Sequence, residues 1–125
     1  MGSPGTAGRP LVLVVDDDEP IRHLVGVVLR EFATVHQAAS ASEAMARVQE
    51  ADHALVILYA RLPDGAGVDI ARALRARPQT RATPIVLVTG DQIPTDAAPG
   101  DIDGYLRKPF DIEELRRCVR GFLGL

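Results

Sequence analysis

Five apolar residues in a row, Leu11 to Val15, stop on three consecutive carboxylates, Asp16, Asp17 and Asp18. An unbroken run of β-branched residues and leucine, with no polar alternation, belongs to a strand covered on both faces, as in a parallel sheet between two helical layers. The pattern recurs along the chain. Residues 54–58 and 85–88 are equally continuous, Tyr105-Leu106-Arg107 makes a shorter last strand, and residues 34–38 make a more polar second one. Between the runs the period changes to that of a helix. Ile21, Leu24, Val25, Val28 and Leu29 predict an amphipathic helix from an Asp18 cap to about Phe32, with Glu19 and Pro20 in its first turn. Ser40 with Glu43 and Asp111 with Glu114 are capping boxes that open two more helices. The first of these runs to about Gln49, and the second carries Ile112, Leu115, Val119 and Phe122 as its apolar stripe. Val68, Ile70, Ala71 and Leu74 mark a third, ending near Arg77 before Pro78. Alternating strands and helices imply an α/β fold, a parallel sheet of about five strands between two helical layers.

At 125 residues the chain makes one domain, which we place at residues 10–125, and residues 1–9 read as a flexible tail or tag remnant. A net charge of -3 offers no basic field for nucleic acid, and no apolar run is long enough to span a membrane. Cys118 stands alone, which excludes an internal disulfide and fits a reducing, cytoplasmic setting.

Ligands of open α/β sheets bind beyond the carboxyl ends of the strands. The elements above bring Asp16, Asp17, Tyr59, Thr89 and Lys108 to that edge. Adjacent carboxylates repel by ~3 kcal/mol at an effective dielectric near 20, so they need a cation, either Mg²⁺ or a lysine. Carboxylates, a small hydroxyl and an ammonium on one edge are the parts of a phosphoryl-binding site. No Gly-rich loop follows the first strand, which argues against a nucleotide binder. His23 falls on a polar helix face. His36 and His53 fall in connecting regions without metal-ligating partners and read as structural.

The segments Val-Val-Asp-Asp-Asp-Glu-Pro, Arg-Leu-Pro-Asp-Gly-Ala-Gly, Val-Thr-Gly and Gly-Tyr-Leu-Arg-Lys-Pro-Phe, in this order, resemble the receiver domains of two-component response regulators. The resemblance implies a flavodoxin-like (CheY-like) three-layer sandwich with strand order 2-1-3-4-5. It also implies phosphoryl transfer from a histidine kinase to an aspartate, with Mg²⁺ held by the acidic pair. That pair matches Asp16 and Asp17, the pocket's catalytic hydroxyl and lysine match Thr89 and Lys108, and Thr89 with Tyr105 matches the switch. The Lys108–Pro109 bond matches one that is commonly cis.

The acceptor aspartate of the family stands four positions before the proline of the Leu-Pro-Asp-Gly loop, and Pro63 therefore points to Tyr59. A phenol with a pKa near 10 is neutral at pH 7 and forms no acyl phosphate. The implied function is an atypical receiver, not an enzyme, with a weak or vestigial Mg²⁺ site. It would act as an interaction module for a histidine kinase or other signalling proteins. The alternative is a phosphorylatable receiver, with the acceptor moved to Asp16 or Asp17 or with an Asp codon, one base from Tyr, restored at position 59. The Tyr59 hydroxyl is expected to bond Asp16, Asp17 or Lys108, or to lean over the Leu62-Pro63 loop. Residues 90–104 hold two prolines and three glycines where the family has its fourth helix, so that helix is expected to be missing or cut to a turn at 95–98.

Overall fold

A computed structural model describes residues 9–90 and 100–125. Strands β1 (Leu11–Val15), β2 (Thr34–Ala38) and β3 (Leu55–Tyr59) alternate with helices α1 (Glu19–Leu29) and α2 (Ala41–Glu50). A two-residue ladder, β4 (Arg61–Leu62) against β5 (Gly65–Ala66), precedes α3 (Gly67–Arg75). Strands β6 (Ile85–Thr89) and β7 (Gly104–Arg107) and helix α4 (Ile112–Leu123) follow. The main sheet is parallel throughout, in the order β2-β1-β3-β6-β7, which is 2-1-3-4-5 when the short ladder is set aside. This is the expected CheY-like sandwich. Residues 91–99, where the shortened fourth helix was expected, lie outside the described residues.

The unbroken apolar runs follow from the two cores. Val12, Val14, Leu55, Ile57, Val86 and Val88 face α1 and α4, while Leu13, Val15, Val56, Leu58, Ile85 and Leu87 face α2 and α3. Both faces of each central strand are dry, so neither parity tolerates a polar residue. Burying a leucine of this kind stabilises the fold by roughly 1.5–3 kcal/mol.

Asp18, Ser40 and Asp111 cap their helices as expected, accepting from the N–H groups of Ile21, Glu43 and Glu114. Two stripe residues are exposed, Leu24 at 42% and Ile112 at 41%. Val25, Val28 and Leu29 already fill the space under α1, leaving Leu24 at the margin, and Ile112 is the first residue of its helix. The loop after β3 also holds more structure than its Pro and Gly content suggested. Its Asp64 carboxylate accepts from the N–H groups of Ala41 (2.7 Å) and Ser42 (3.0 Å), tying the β4-β5 turn to the start of α2. Those two bonds hold the Asp64 carboxyl below the usual carboxylate range.

Arginines supply ties that hydrophobic patterning does not reveal. Arg9, which the sequence assigns to the tail, donates to the carbonyls of Arg30 and Ala33. Arg75 spreads its guanidinium over the carbonyls of Gly100, Arg81 and Thr83 and the Asp103 carboxylate, which also accepts from the Ile85 N–H (2.7 Å). The end of α3 is thereby fastened to the entry of β6 and to the segment leading into β7. Among the described residues no helix is long and apolar enough to cross a membrane.

His36 lies within β2 rather than in a connection, and it is not partnerless: its Nδ1 is 3.1 Å from His53 Nε2, with the rings edge to face. His53 is 8% exposed. Burial first, and the facing His36 second, lower its pKa from 6.5 to about 4, against weaker opposition from Asp52 and Glu50. A base with a depressed folded pKa binds its proton more readily in the unfolded chain. Its contribution is therefore complete above pH 6.5 and is lost as pH falls toward 4, by up to about 3 kcal/mol at 1.36 kcal/mol per unit. Denaturant melts between pH 7.5 and 4 should show this loss, and the slope should flatten in a His53→Gln protein.

Candidate functional site

The carboxyl ends of β1, β3 and β6 and the turn after β7 meet around Asp16. Asp16 is 4% exposed, following a strand whose last four residues are buried. Both oxygens are in use. Oδ1 accepts from the Asp18 N–H at 2.9 Å, and Oδ2 accepts from Lys108 Nζ at 2.9 Å. The Asp16 carbonyl accepts from Arg22 Nη1 (2.7 Å), whose Nε donates to the Gln37 side chain. The apolar period of α1 leaves Arg22 off the buried stripe. Its position four residues after the Asp18 cap, one turn back toward the end of β1, was the available signal.

Lys108 arrives from the far end of the chain. Its backbone N–H donates to the Thr89 carbonyl at 2.7 Å, continuing the β6-β7 ladder by one rung, and its bond to Pro109 is cis. The side chain then runs inward and places Nζ 3.7 Å from the centroid of the Tyr59 ring. The ammonium is thus held between the Asp16 carboxylate and an aromatic face. Each contact stabilises the cation, the first by charge and the second through the ring quadrupole.

Tyr59 ends β3, and its half-buried ring packs against the α1 and α4 side of the core. The chain leaves β3 through a tight passage. The Gly67 N–H donates to the Ala60 carbonyl at 2.9 Å, and a Cβ at Gly67 would stand 2.6 Å from the Tyr59 carbonyl oxygen and 2.9 Å from Leu87. Only glycine fits there, which fixes the start of α3 against the end of β3. Of the two arrangements expected for the phenol, the hydrogen bond to Asp16, Asp17 or Lys108 is not formed. Lys108 meets the face of the Tyr59 ring, not its hydroxyl, and no hydrogen bond to that hydroxyl exists among the described residues.

The other expected residues are placed more loosely. Thr89 is 3% exposed and joined to Lys108 through the backbone, whereas Asp17 is exposed. Tyr105 is 38% exposed, opposite Leu87 in the β6-β7 register and two positions short of Thr89. Among the described residues no three His, Cys, Asp or Glu side chains converge as a metal site.

Comparisons with known proteins bear on the fold and the family. The response regulator receiver domain family matches residues 12–120. The transcriptional regulatory protein SrrA of Staphylococcus aureus is 33% identical over 116 residues, covering 90% of this chain and 47% of that protein, so the chain spans about half the length of this relative. The chemotaxis response regulator CheY4 of Vibrio cholerae superposes with a TM-score of 0.85 at 30% identity, over 91% of this chain and 98% of that one. The signal receiver domain of an HD domain-containing protein from Pseudomonas fluorescens gives 0.83 at 30% identity, over 93% and 95%. With the family's motifs on the strand ends where the fold puts a ligand site, this chain belongs to the response regulator receiver domains.

Proposed function

We propose that this is an atypical receiver in which Tyr59 occupies the acceptor position, so that the domain is not phosphorylated on aspartate. It works instead as an interaction module for a histidine kinase or another signalling protein, in the cytoplasm, and as a binding partner rather than an enzyme. One observation carries the reading: the Lys108 ammonium is engaged by Asp16 at 2.9 Å and by the Tyr59 ring at 3.7 Å. In a phosphorylatable site a lysine in this place would be available to a phosphoryl oxygen, and a third carboxylate would stand where the ring is. Asp16 makes a poor substitute acceptor, because its oxygens are committed to Lys108 and to the Asp18 N–H and the group is nearly enclosed.

The residues present do not fit a family-type Mg²⁺ site. Asp16 and Asp17 against Lys108 sum to a formal charge of about -1, and hard divalent ions that keep part of their hydration shell need denser oxygen ligation than this. Lys108 takes over the neutralising role, with the electron-rich ring face as its second support. Thr89 and Tyr105 then have no phosphoryl group to answer, and the switch they form in the family stays in one state.

Two outcomes are expected. After incubation with acetyl phosphate and Mg²⁺ the intact mass should be unchanged. Addition of a hydroxylamine-labile phosphoryl group would contradict the reading. Replacing Lys108 by Met should destabilise the fold by about 3 kcal/mol in denaturant melts, because an enclosed carboxylate loses its counter-charge. The conservative Lys108→Arg change should cost less.

A further inference from the structure

Away from the receiver pocket, the outer face of α4 carries charge that the fold does not use. Leu115 and Val119 are buried, and on the helical spacing Glu113, Arg117, Arg120 and Gly121 lie on the opposite side. Arg116, at the edge of that side, takes two carboxylates, donating to Glu31 beyond the end of α1 and to Glu113 one turn back. Arg117 and Arg120 are left exposed, with no ion pair or side-chain hydrogen bond among the described residues. With Glu113 and Arg116 they wall a groove of about 410 Å³ that Gly121 and Leu125 complete.

Gly121 is a second feature that the fold does not require. Glycine is a poor helix former, and a Cβ at this position would meet no atom within 4 Å, whereas Gly67 leaves no room for one. The missing side chain keeps the floor of the groove open, so that the main chain of a bound segment has room to lie against α4. Leu125, 57% exposed and held by its N–H to the Arg120 carbonyl at 2.9 Å, supplies an apolar wall at one end. Leu125 also borders Pro10 and Thr34, at the amino ends of β1 and β2, so the groove lies toward the opposite end of the sheet from Tyr59.

We propose that this groove docks an acidic segment of a partner protein, its carboxylates paired with Arg117 and Arg120 and an apolar side chain set against Leu125. That a protein partner exists rests on the reading of the domain as an interaction module; the groove adds a surface and a chemistry for it. Guanidinium groups suit this partner because their planar forks match carboxylates in bidentate pairs. Nucleic acid and anionic membranes fit less well. They call for an extended basic field, and this chain carries a net charge of -3, with its unpaired guanidiniums confined here to one groove beside an apolar wall.

The test uses the whole chain and a fluorescein-labelled peptide of glutamates around one leucine, read by fluorescence anisotropy at low ionic strength. Saturable binding is expected, weakened by added salt and absent for the same peptide with lysine in place of glutamate. Replacing Arg117 and Arg120 together by Gln should weaken binding about fivefold, whereas the charge-matched pair Arg61→Gln with Arg81→Gln should leave it unchanged. Gly121→Gln fills the groove without removing a charge, so it should weaken binding while raising the melting midpoint through better helix formation. The proposal is overturned if the Arg117 and Arg120 variant or Gly121→Gln binds as the native chain does, if the two charge-matched pairs weaken binding equally, or if labelled oligothymidylate binds more tightly than the peptide. Sedimentation that shows self-association through Arg117 and Arg120 would overturn it in favour of a second copy. If peptide binding fails while acetyl phosphate leaves the mass unchanged, this surface falls and the acceptor reading stands. A phosphoryl group gained by a chain that still binds the peptide would overturn the acceptor reading alone.

Discussion

An apolar strand that ends on a carboxylate must find that carboxylate a counter-charge. Asp16 is nearly enclosed, and an isolated ion in that setting costs several kcal/mol. Backbone supplies one partner, the Asp18 N–H, but the charge itself is balanced by Lys108, which lies 92 positions along the chain. Lys108 follows β7, at the end of the sheet order β2-β1-β3-β6-β7, and reaches Asp16 across the strand ends. The pairing therefore ties the first strand to the last strand-helix unit, with the end of β3 between them. Whatever residue ends β3 must coexist with that ammonium. Tyr59 does so by offering its ring face.

The receiver fold itself does not depend on which residue ends β3. The layers, the caps and the Gly67 passage depend on packing and backbone sterics, and none of them senses whether residue 59 is a carboxylate or a phenol. The local electrostatics do. A carboxylate would add a third negative charge beside Asp16 and Asp17 and call for a metal ion. An aromatic ring adds none, and its face supports the Lys108 ammonium.

Much of the fold was legible because both faces of each central strand are buried. Val12 and Val14 serve one layer and Leu13 and Val15 the other, so a continuous apolar run had one sensible reading. The caps at Asp18, Ser40 and Asp111 were legible for a similar reason, since each acts within four residues of itself. The less legible features depend on distant partners or on side-chain direction. Asp64 caps α2 from 23 positions away, Arg75 gathers groups up to 28 positions away, and His36 meets His53 across 17. At the site, the meeting of Tyr59, Asp16 and Lys108 followed from the strand order. That Lys108 would meet the face of the ring depended on the directions of two side chains, which no sequence spacing encodes.

The claim that an aromatic ring and a lysine replace a metal at this centre is tested most directly by thermal melts of the native protein and of Tyr59→Asp, each with and without Mg²⁺. The variant should melt lower than the native protein in the absence of metal, because a third carboxylate repels the first two, and Mg²⁺ should raise its midpoint by mass action while leaving the native midpoint unchanged. If Mg²⁺ raises both midpoints equally, Tyr59 is not what sets the chemistry of this site.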